Sequence, residues 1–78
     1  MVYCKLIEKN AKTVRYALGG FVNDMTGELV IHRETNTYEI AKMPEKSKVY
    51  KVHIDRMLLM YAKDIKKGIF SEKMGYEI

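Results

Sequence analysis

The side chains of this 78-residue chain with the greatest capacity for covalent or metal chemistry are one cysteine, Cys4, and two histidines, His32 and His53. A thiol nucleophile works when an imidazole lies within hydrogen-bond reach and a third group orients that imidazole. Cys4 instead alternates with apolar neighbours, the setting in which cysteine behaves as a small buried hydrophobe. The three residues show neither Cys-x-x-Cys nor His-x-x-x-His spacing, so no metal-ligand set is expected. Gly19-Gly20 is far from the spacing of a phosphate-binding loop or a dinucleotide fingerprint. The acidic residues are scattered, with no pair placed together on a buried face. The expectation is a non-enzymatic protein with no catalytic, cofactor-binding or metal-ligating residues.

Length and composition narrow the class. The chain is long enough for one domain, 1–78, and buries a thin core. A lone cysteine rules out an intrachain disulfide and favours a reducing compartment. Lys5, Glu8 and Lys9 break up the N-terminal apolar residues, so no secretory signal is legible, and the longest uncharged run, 16–23, is too short to span a bilayer. The expected location is cytoplasmic. Residues 1–40 carry five basic and five acidic side chains, whereas residues 41–78 carry nine and five, so the whole +4 excess falls in the C-terminal half.

The elements that would position these groups read as strands and then a helix. Val2, Cys4 and Leu6 alternate with Tyr3, Lys5 and Ile7, giving a strand over about 2–8. Asn10-Ala11-Lys12 is a polar turn, and a second strand over 13–18 presents Val14, Tyr16 and Leu18 on one side. Gly19-Gly20 marks a bend or strand end. Asn23 to Gly27 is the clearest turn, with Gly27 expected at positive φ. Strands over 28–33 and 37–41 follow, joined by Glu34-Thr35-Asn36. Connections this short require antiparallel neighbours, hence a meander.

Pro44 ends the strand pattern, and Ser47 is a suitable N-cap for a helix over about 47–67. Tyr50, Ile54, Met57, Leu58, Tyr61 and Ile65 form its core stripe. Gly68 suits a left-handed C-cap, and Ile69 and Phe70 are expected to be buried. In the tail, 69–78, Met74, Tyr76 and Ile78 alternate with Gly75 and Glu77, which leaves a fifth, edge strand open. The fold class is therefore α+β: an antiparallel β-meander of four or five strands with one C-terminal amphipathic helix packed on one face.

The back of that helix departs from a purely solvated surface. Val49, Val52, Leu59 and Met60 are interleaved there with Lys48, Arg56, Lys63, Lys66 and Lys67. Either the tail folds back over the apolar residues or they meet another protein, most simply a second copy of the chain. The expected interaction surface is Val49, Val52, Arg56, Leu59, Met60 and Lys63, serving a small interaction or regulatory domain that self-associates. The alternative is a nucleic-acid-binding module using the basic helix face or the outer sheet face, where Tyr3, Lys5, Arg15 and His32 are expected. A membrane partner is not expected, because the best apolar stripe of the helix is needed by the sheet.

Overall fold

In the computed structural model, which describes residues 1–77, the β-branched and aromatic segments pair into a five-stranded antiparallel sheet of order β4-β3-β2-β1-β5. The strands are β1 (Val2–Lys9), β2 (Thr13–Gly19), β3 (Gly27–His32), β4 (Thr37–Lys42) and β5 (Lys73–Tyr76). The first four form the meander, and the tail does supply the fifth strand, paired to β1 with Val2 opposite Tyr76 and Lys5 opposite Lys73. Ile78 lies outside the described residues. No helix among those residues is long and apolar enough to cross a membrane.

Side-chain alternation divides the sheet into two faces. Val2, Cys4, Val14, Tyr16, Leu18, Leu29, Ile31 and Met74 are buried on the inner face. The register shifts between Leu6 and Glu8, leaving Ile7 as an extra residue exposed to solvent. The Asn10 side chain shapes the first turn by accepting the amides of Lys12 and Thr13, both at 2.8 Å. Asn36 takes the left-handed conformation in the β3–β4 turn, at φ 55°.

Helix begins later than the sequence pattern indicates. α1 is Lys51–Met60, its N-cap is Tyr50 without a side-chain cap, and a break at Tyr61 separates it from a short α2 (Ala62–Lys66). The cause lies in the preceding loop. The Asp24 carboxylate accepts the amides of Lys46 and Ser47 together with the Thr26 hydroxyl, and the Ser47 hydroxyl accepts the Gly20 amide at 2.9 Å. Ser47 is thus committed to holding two loops together and does not cap the helix. The chain stays non-helical through Tyr50, so the 100° wheel does not apply there: Val49 is 4% exposed and belongs to the core, while Tyr50 is 53% exposed.

The same junction explains three glycines by close approach. A Cβ on Gly19 would lie 2.1 Å from the Asp24 carbonyl oxygen, and one on Gly20 would lie 2.7 Å from the Ser47 Cβ. Gly27 is the first residue of β3 and is not at positive φ; its missing side chain leaves room for the Lys42 carbonyl and Pro44. Gly68 does take the left-handed conformation, at φ 79°, and its neighbour Ile69 donates its amide to the Asp64 carbonyl at 2.8 Å, the closing bond of a Schellman-type stop. Ile69 itself is exposed, contrary to the sequence expectation, and Phe70 is half-buried between the Lys9 and Arg33 cations.

Ile54 and Met57 drive α1 onto the sheet; both are fully buried. The helix lies over β5 and β1 rather than centrally. The inner face of β4 is consequently left with only side-chain cover, and Tyr38 and Ile40 stay half-exposed.

Candidate interaction surface

The groups able to do covalent chemistry are held apart. Cys4 is buried on the inner sheet face, where desolvation pushes its thiol up to about 12, so it is protonated at neutral pH and a poor nucleophile. His32 lies on the outer face and its Nε2 meets Glu39 at 2.9 Å. His53 sits on α1 between the rings of Tyr50 and Tyr76, with centroids 5.6 and 5.8 Å away, and its Nδ1 has no hydrogen-bond partner. Among the described residues, no three His, Cys, Asp or Glu side chains converge on one point.

Several charged groups of the outer sheet face are paired, while Lys5 and Lys73, opposite each other on β1 and β5, are exposed and have no acidic partner among the described residues. Arg15 reaches Glu28 and, at 3.9 Å, Glu8; His32 meets Glu39; and the Tyr3 hydroxyl donates to Glu77 at 2.8 Å. These groups are engaged with one another across the strands and are not presented as a basic, stacking platform. Val30, on this face, is buried beneath them.

The helical side is different. Val52, Leu59 and Met60 stand 50%, 76% and 65% exposed, and with Arg56 and Lys63 they recur at helical spacing on one stripe. Five of the six residues expected at this surface are therefore exposed, and Val49 is removed from it by its burial in the core. Among the described residues, the tail does not cover the stripe. Its strand joins β1, Met74 packs in the core with Ile54 and Met57, and Tyr76 reaches the flank of the helix, where Arg56 donates to its hydroxyl at 3.3 Å. This contact draws the Arg56 guanidinium to the edge of the apolar residues.

One polar cluster ties α1 to β4. Lys51 and Asp55 pair at 3.1 Å across one helical turn, and the Tyr38 hydroxyl donates to the same carboxylate. The Tyr38 hydroxyl and the Lys51 ammonium both hold Asp55 below its ordinary range, while donating to Asp55 raises Lys51. The i,i+4 spacing of Lys51 and Asp55 is readable in sequence; the participation of Tyr38 depends on how the helix crosses the sheet, which no local pattern encodes. Comparison of the chain with protein-family models, curated proteins and solved structures finds no match.

Proposed function

We propose that this chain is a non-enzymatic interaction domain that self-associates through the outward stripe of α1. The observation that carries the reading is the adjacent exposure of Leu59 and Met60, flanked by Val52, on the side of α1 turned away from the sheet. Two such stripes packed antiparallel would bury Leu59 and Met60 at the centre and set Arg56 of one copy beside Lys63 of the other, with both charged heads turned out to solvent. Burying a large apolar side chain contributes about 1.5–3 kcal/mol, so three from each copy contribute on the order of 10 kcal/mol before losses. Association costs about 4–15 kcal/mol in lost freedom, so the dimer should be weak, of roughly micromolar affinity at best.

Sedimentation at high protein concentration should therefore approach twice the 9.1 kDa mass of one chain. The double substitution Leu59→Lys with Met60→Lys should yield a folded monomer. A wild type that stays monomeric at millimolar concentration would end this reading.

A second reading rests on charge. Lys63, Lys66 and Lys67 near the end of the helical segment have no acidic partner among the described residues, and Lys9 and Arg33 flank Phe70 after Gly68. This favours phosphate contact over the outer sheet face as a nucleic-acid surface. Nucleic-acid binding through these cations should weaken steeply with salt, whereas the apolar dimer should persist.

A further inference from the structure

The outer face of the sheet is hollowed at one corner by small residues. Tyr3 on β1 has a glycine opposite it on each side, Gly19 on β2 and Gly75 on β5; in the next row Lys5 faces Ala17 and Lys73. The Tyr3 ring occupies the space beside Gly75, where a Cβ would meet it at 3.2 Å. On the other side the β2–β3 loop folds back over the strand, so the Met25 sulfur lies 2.8 Å from where a Cβ on Gly19 would be. Loop and strands enclose a half-open depression of about 230 Å³, floored by the strand segments 3–5 and 73–74 and walled by Val22 and Met25. Its lining is mainly apolar, and Val22 stands 75% exposed. The charged groups in that lining are Lys5 and Lys73, both exposed and without an acidic partner among the described residues. Like charges directly opposite one another weaken a sheet. Elsewhere on this face Arg15 has Glu28 and His32 has Glu39; here no such compensation is built in.

We propose that this depression binds a small organic monocarboxylate, whose carboxylate is held between the Lys5 and Lys73 ammonium groups and whose apolar body lies against Tyr3, Val22 and Met25. Cross-strand neighbours have Cβ atoms about 4.5–5.5 Å apart, so the two flexible lysine stems converge readily on one anion. An anion there replaces a repulsion by two charge-assisted hydrogen bonds. The class of anion follows from what the site offers. A carboxylate has two oxygens, one for each ammonium. A phosphate group brings more charge and a third strong acceptor, for which no donor is at hand. The floor is strand, whose main-chain groups point within the sheet and not into the depression, and Arg15 is taken by Glu28 and Glu8. The apolar wall calls for an apolar body, since a bare ion would leave Val22 and Met25 in water. The volume lies below the usual roughly 300–1,000 Å³ of a ligand pocket, which limits that body to a short chain or a single ring.

This site lies on the sheet face turned away from α1 and does not depend on self-association. The test is a nuclear magnetic resonance titration of the isotope-labelled chain with sodium octanoate, kept below the concentration at which it forms micelles. Saturable shifts are expected in the Val22 and Met25 methyl groups and in the Lys5 and Lys73 amides. Octan-1-ol, which keeps the chain and lacks the charge, should bind at least about tenfold more weakly. Acetate and inorganic phosphate, which lack the apolar body, should fall short by a similar factor of about ten or more. Lys5→Gln combined with Lys73→Gln changes two exposed side chains and leaves the core untouched; it should weaken octanoate by about tenfold or more and leave octan-1-ol unchanged. Val22→Asp should weaken octanoate with both lysines in place. The monomeric Leu59→Lys, Met60→Lys variant should bind octanoate as well as wild type. The proposal is overturned by an absence of saturable shifts, by shifts confined to α1, by octan-1-ol or phosphate binding as tightly as octanoate, or by full octanoate affinity in the double glutamine variant.

Discussion

Asp24→Ala should lower the melting temperature by roughly 10 °C or more, since it leaves buried donors without acceptors. Asp24 is 2% exposed, and its carboxylate receives a hydroxyl from Thr26 and amides from Lys46 and Ser47. Those amides belong to the loop before α1, while Asp24 belongs to the loop between β2 and β3. One side chain therefore holds two segments that no strand pairing connects. Alanine removes the acceptor and frees Ser47, whose hydroxyl also satisfies Gly20. Thermal melts followed by circular dichroism measure the loss; a melting temperature within a few degrees of wild type would refute this account of the junction.

Acid should expose the same dependence. The Ser47 and Thr26 hydroxyls, assisted by the Ser47 and Lys46 amides, outweigh the opposing effect of burial and lower Asp24 from 3.8 to about 2. Because the folded-state value is depressed, the stabilisation is fully present above about pH 4 and is lost as pH falls toward 2. Asp24→Asn should be less stable at neutral pH and show a shallower decline across that window.

The second large effect is expected at Ile54. Replacing this fully buried residue by alanine removes the centre of the contact between α1 and the sheet, and such truncations cost about 2–5 kcal/mol. A domain of this length has a total stability on the order of 4–12 kcal/mol. The loss is thus at least about a sixth of the whole, equivalent to a melting-temperature decrease of roughly 10–40 °C. Leu59→Ala, on the opposite side of the same helix, should change stability by less than about 0.5 kcal/mol at concentrations where the chain is monomeric. Chemical denaturation of the two variants side by side gives the comparison, and similar losses at the two positions would contradict the assignment of faces.

The sheet was legible in sequence because alternation and turn residues are local signals. Val14, Tyr16 and Leu18 announce their strand, and Asn10 and Gly68 act in the structure as their residue types indicate. The errors arose where a distant residue decides local conformation. Ser47 has the chemistry of an N-cap, yet Asp24, more than twenty positions earlier, binds its amide, and the chain there is not yet helical. Val49 consequently turns inward and leaves the expected surface. Gly27 has the freedom for a positive φ, yet its role comes from the approach of Lys42 and Pro44. The depression beside Tyr3 was not legible at all, because it follows from the fold of the β2–β3 loop over Gly19 and not from any pattern within β1 or β5.

The pairing of β1 with β5 has a mechanical consequence. Val2, at the start of the first strand, lies opposite Tyr76, at the end of the last, so these two residues sit at the same end of the ladder. Tension applied between Val2 and Tyr76 would load the β1–β5 hydrogen bonds one pair at a time, as in a zipper, instead of shearing the ladder as a unit. The domain should yield at low force along that axis and release β5 first, leaving the four-stranded meander to give way in a later event. Single-molecule extension from those two positions would resolve the two steps, and a single high-force rupture would contradict them.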